Sequence, residues 1–133
     1  MLSIALPVVR SASVYFVAIF AVAFMLGVVR TLIVAPAIGE TAAVLLEIPS
    51  VLAASWVVAR RLVGGRGFTM GQRVAIGGVA FAMWMASEGA LAGVLRGQSI
   101  GQWAQALATP PGFMGLAGQI GFAAMPALDG RGR

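Results

Sequence analysis

Apolar residues along this chain run in long blocks rather than alternating with polar ones, and the breaks between blocks fall at prolines, glycines and arginines. From Ser13 to Val34 only Arg30 and Thr31 interrupt the apolar run, and about 22 residues of helix extend roughly 33 Å, enough for one bilayer crossing. Pro36 and Gly39 predict the break after it, because proline lacks an amide donor and glycine turns cheaply. A second crossing is expected over Glu40 to Val63, ending in Arg60 and Arg61, and a third from Arg73 to Leu95. Pro110 and Pro111 open a last apolar stretch, Gly112 to Leu128, interrupted by Gln119 and closed by Pro126. At about 17 residues it is short for a span, and a re-entrant hairpin is the alternative. Ahead of it, Ile100, Trp103 and Leu107 share one helical face and Gln98, Gln102 and Gln105 the other, which predicts a short interfacial helix anchored by Trp103. A plain connecting loop is the competing reading.

The fold class expected is therefore an all-α integral membrane bundle, residues 1–133 forming one transmembrane domain of four helices with the interfacial helix before the last. Composition agrees: 60% of the 133 residues are hydrophobic and 10% charged, at a mean hydropathy of +0.97. That leaves too little polar surface to coat a water-soluble globule. Orientation follows from the arginines, since short cytoplasmic segments carry excess positive charge. Arg60, Arg61, Arg66 and Arg73 form an acid-free cluster, and a hairpin topology puts Arg10, Arg131 and Arg133 on the same side. Both termini are then cytoplasmic, with Arg30, Glu40 and Arg96 toward the outer face. Ala21-Val22-Ala23 allows a signal-peptide reading, but the residues before Arg10 are apolar and hydrophobicity continues beyond Ala23.

The chain contains no Cys, His, Lys or Asn. Zinc, haem, iron–sulfur and copper sites, thiol and Ser-His-Asp nucleophiles, P-loops and lysine Schiff bases are thereby excluded, and neither a metal nor another cofactor is expected. A nucleic-acid partner is not expected either. The Gly64-Gly65-Arg66-Gly67 stretch lacks the lysine of a phosphate loop and reads as a lipid-facing turn. The scattered methionines read as apolar filler, Trp84 as core and Trp56 as an interface anchor.

Depth along the helices singles out the ionisable residues. Arg30, Glu47 and Glu88 all fall roughly 6–10 Å inside the outer ends of three different helices. A charge at that depth costs several kcal/mol unless paired, so the three are expected to face one another or a wet cavity. Glu40 lies seven residues before Glu47 on the same face, and Pro49 frees the Leu45 carbonyl beside it. Arg30, Glu40, Glu47 and Glu88 are thus a candidate polar cluster, either a proton or cation relay or a salt-bridge group that only fixes packing. The acids outnumber the arginine.

Small residues predict close helix packing. Gly89 and Gly93 form a GxxxG pair, Gly78, Ala82, Ala86 and Ala90 a four-residue ladder, and Gly112, Gly115, Gly118 and Gly121 recur every third position. A bundle this small with so many small-residue faces is expected to self-associate or join a larger membrane complex.

The run Arg30 to Trp56, RTLIVAPAIGETAAVLLEIPSVLAASW, resembles uncharacterised small multi-pass proteins of bacterial inner membranes. The resemblance covers about a fifth of the chain and implies no activity. Small multidrug exporters share the size and helix count, but their acid sits in the first helix, where this chain has Arg30. Fluoride channels of this size rely on asparagines, which are absent here. Two functions stand: a non-enzymatic accessory or assembly subunit packed through Gly/Ala-rich faces, and a small oligomeric transporter or channel for protons or cations using Glu47 and Glu88. An intramembrane enzyme is disfavoured, because no nucleophile and base occur as a pair.

Overall fold

The computed structural model describes residues 2–128, which are helical apart from short connections. Helix α1 (Leu2–Val29) continues through a π-helical turn (Arg30–Val34) into α2 (Ala35–Ile38). Then follow α3 (Glu40–Val63), α4 (Met70–Arg96), the short α5 (Ile100–Ala106) and α6 (Pro110–Leu128). Three of these stretches, Leu6–Ile38, Glu40–Val63 and Met70–Arg96, are long and apolar enough to cross a membrane. The α6 helix is shorter. Arg131 and Arg133 lie outside the described residues.

Pro36 does not end the first helix as the sequence predicts. The wide turn ahead of it absorbs one extra residue, Ala35 donating its N–H to the Arg30 carbonyl. Pro36 thereby falls in the first turn of α2, a position that proline favours. The chain reverses at Gly39 alone, where φ is +96° and a side chain would be strained. Thr69 and Gln72 cap the start of α4 reciprocally, Ser99 and Gln102 do the same for α5, and Gly97 ends α4 in the left-handed conformation.

Helix α1 buries Val8, Ala12, Tyr15 and Ile19, one stripe at three- and four-residue spacing. On α3 the buried stripe includes Val51, Ser55, Ala59 and Val63; on α4 it includes Ile76, Ala80, Trp84 and Ala92. Helix α6 packs against both α3 and α4. Its contacts with α4 pair Gln119 with Glu88 and Ala123 with Gly77, an antiparallel run, whereas Gly118 meets Ile48 and Gly121 meets Leu52 on α3, a parallel one. The Ala123 carbonyl presses where a Gly77 side chain would stand, so the two backbones touch.

Aromatic rings fill the centre. Tyr15 stacks on Phe122 at 4.3 Å, and Trp84 meets Phe122 and Phe20 edge-on at 4.8 and 5.2 Å. Pro126 does not close α6, which continues to Leu128. Lacking an N–H, Pro126 leaves the Phe122 carbonyl one turn back without its helical donor. The Tyr15 hydroxyl takes that place, donating to Phe122 O at 2.5 Å. A proline on one helix is thus answered by a phenol on another.

Candidate functional site

At the end of the bundle marked by Gly39, Gly97 and Thr109, the helices splay around a cavity of about 860 Å³. Its walls are mostly apolar, but Arg30, Glu40, Glu47, Glu88, Arg96 and Gln119 all line it. The four charged residues singled out from the sequence therefore border one space.

They do not form one cluster. Arg30 emerges from the π-helical turn and donates from Nε to Glu47 Oε1 and from Nη1 to Glu40 Oε2, both at 2.6 Å. Glu40 opens α3 and Glu47 lies two turns on, so one guanidinium clamps the first two turns of α3 to the end of the first span. The Glu47 side chain is 17% exposed and Glu40 52%, which makes the Glu47 bond the better shielded of the two.

Glu88 stands apart from this clamp. It occupies the inward stripe of α4, one turn after the buried Trp84 and one turn before Ala92. Both of its carboxylate oxygens accept from Gln119 Nε2, at 3.2 and 3.0 Å. No cation lies within ion-pair distance of it among the described residues. The geometry separates two acids that share one cation from a lone one, because Arg30 is turned toward Glu40 and Glu47. Gln119, read in sequence only as an interruption of an apolar run, is thus the partner of the lone acid.

Three residues that line the cavity each carry a buried polar atom with no hydrogen-bond partner: Gln119 Oε1, Gln98 Oε1 and Trp84 Nε1. Gln119 is 8% exposed and Trp84 5%, so neither is satisfied by bulk solvent. Among the described residues no three His, Cys, Asp or Glu side chains are grouped to hold a metal ion.

No family model, curated protein or solved structure matches the chain.

The glycines sort by what they face. A side chain at Gly89 would meet the Trp103 ring at 3.4 Å, and one at Gly93 the Gln98 carbonyl at 3.6 Å, so this pair is lined by α5 and its preceding turn rather than by another long helix. Trp103 is half-buried there. Gly112 abuts the Ala106 carbonyl, Gly118 and Gly121 take Ile48 and Leu52, and Gly115 faces open space on the cavity wall. The ladder of Gly78, Ala82, Ala86 and Ala90 is exposed along its whole length, and Ala75 extends it. Arg73, placed by the sequence reading with the loop arginines, is instead buried at the start of α4. Position 73 falls on the same inward stripe as Ile76, Ala80 and Trp84, a periodicity that could have revealed it. Arg60 behaves as expected of a terminal arginine, lying 4.9 Å over the Trp56 ring.

Proposed function

We propose that this chain is a non-enzymatic multi-pass protein of the bacterial inner membrane that works as a subunit of a larger assembly. The observation that carries the reading is the exposed ridge of Gly78, Ala82, Ala86 and Ala90 on α4. Hydrocarbon gains nothing from a row of missing side chains, whereas a helix backbone can approach there closely enough for broad van der Waals contact. The other glycine faces have neighbours within the chain or open to the cavity, which leaves this one for a partner.

In the proposed topology α6 is a fourth crossing, since its 19 residues reach about 28 Å along the core of α3 and α4. Both termini are cytoplasmic, and the turn carrying Arg66 lies inside with Arg60 and Arg61. The cavity then opens toward the outer face.

Cysteine chemistry tests both parts against a cysteine-free background. Ala82→Cys and Ala86→Cys should cross-link in native membranes, at twice the chain mass for a homo-oligomer or at the chain mass plus that of one other subunit for a mixed complex. Cross-linking no greater than from lipid-facing Leu46→Cys would remove the assembly reading. Arg66→Cys should be shielded from an impermeant thiol reagent added outside intact spheroplasts. Position 66 suits the test because its neighbours Gly65 and Gly67 hold positive φ, where cysteine would be strained.

A second reading is favoured by one specific observation, the lone carboxylate of Glu88 in the cavity. It is the movement of a proton or other cation through that space. Glu47 takes a lesser part in it than the sequence suggested, being held by Arg30.

A further inference from the structure

The cavity wall is unevenly equipped for hydrogen bonding. Around Glu88, acceptors outnumber donors: the carboxylate keeps lone pairs beyond those used by Gln119, whose own Oε1 is buried without a partner. The idle donor is the Trp84 indole N–H. Gln119 cannot relieve the shortage by turning over, because its amide nitrogen is held by a carboxylate that can only accept. Charge leans the same way. The ionisable residues lining the space are three carboxylates, Glu40, Glu47 and Glu88, against Arg30 and Arg96, and Arg30 is already spent on the first two. Arg96 is eight residues beyond Glu88 on α4, about 12 Å further toward the mouth.

We propose that the Glu88 end of this cavity is a binding site for an amphiphilic organic cation that carries N–H donors, a protonated primary or secondary amine on an apolar body. The ammonium supplies to Glu88 both charge and N–H hydrogen bonds on the lone pairs that Gln119 leaves free, and a quaternary ammonium has no such donor. The apolar body takes the mostly apolar wall, where Trp84 and Trp103 offer aromatic surface. A space of about 860 Å³ suits a molecule of drug-like size rather than a bare ion. A bare metal ion would need several oxygen ligands converging on one point, and among the described residues no three acidic side chains do so. The proposal deepens the cation reading of the cavity and is independent of the assembly reading.

The test uses the full chain in mild detergent with dansylcadaverine, a fluorescent primary amine, and its trimethylammonium counterpart bearing the same tail. Saturable binding of the amine is expected, at least tenfold tighter than that of the quaternary compound, and this comparison needs no variant. Glu88→Gln should weaken the amine at least tenfold and the quaternary compound less. Gly115→Leu, which projects into open space on the wall, should abolish amine binding while the protein melts and elutes as wild type. Equal affinity for the two compounds, or uptake matching that of empty micelles, would overturn the proposal. So would Glu88-dependent proton flux in vesicles without amine binding, which would leave the broader cation reading standing.

Discussion

At the scale of single residues, the interior is governed by how each polar group finds a partner away from water. Arg30 shows this most directly. Arg30→Ala leaves Glu47 buried in part with its donor gone, and should lower stability by about 2–3 kcal/mol, the worth of a charge-assisted bond. Adding Glu47→Gln should recover much of the loss, because a neutral amide costs less to leave unpaired. Equal melting temperatures for the single and double variants would refute the clamp. Tyr15 invites a matching cycle. Tyr15→Phe should cost about 1–2 kcal/mol by orphaning the Phe122 carbonyl. In a Pro126→Ala background the restored amide can serve that carbonyl from within α6, so the same substitution should cost less. Additive losses would mean the phenol and the proline are unconnected. The partners of these groups were not legible in the sequence. Depth along a helix could be counted, which drew attention to Arg30, Glu47 and Glu88, but rotation of each helix about its axis decides which of them meet. That phase is set by packing between helices and leaves no mark on any one segment.

Elements, by contrast, were largely legible. The α3 boundaries are those read from the apolar run, Glu40 and Val63, since a glycine at each end marks them. The short helix ahead of α6 also forms where Ile100 and Trp103 predicted it, and the Ser99–Gln102 capping pair is a further sequence signal for its start. The first helix was misread at Pro36 because a proline can be absorbed when the turn before it widens, and only the three-dimensional hydrogen bonding reveals that. Glycine roles divide in the same way. A regular spacing identified α6 as glycine-rich, but Gly77, which touches the α6 backbone, belongs to no repeat. Gly77→Ala should lower stability by about 1–3 kcal/mol, since the Ala123 carbonyl must retreat. Gly115→Ala, with nothing nearby, should be neutral or raise stability by up to about 1 kcal/mol. Thermal melts of the two variants in one detergent check the contrast, and equal losses would contradict this arrangement of α4 and α6.

For the whole molecule, the two ends of the bundle are built on different rules. One end carries Arg60, Arg61 and Arg66 around a tight glycine turn, a surface that faces outward with its charge. The other gathers its acids inward, around a cavity. A chain with only four acidic residues in 133 places three of them on that one wall, which is why the lone carboxylate stands out. The π-helical turn decides how this end is assembled. Each residue advances a helix by about 100°, so a turn holding one extra residue is a phase shift between everything before it and everything after it. Only Gly39 separates the first span from α3, leaving no slack to correct the angle. Deleting Thr31 should relax the turn to ordinary helix and leave the exit of the hairpin in place, because the Ala35 N–H that now reaches the Arg30 carbonyl across the wide turn would reach it as an ordinary helical bond. The wide turn of the first span thus works as a washer does under a nut: it changes which residues share a face without moving the helix that follows, and that register is stored in a count of residues rather than in any one of them.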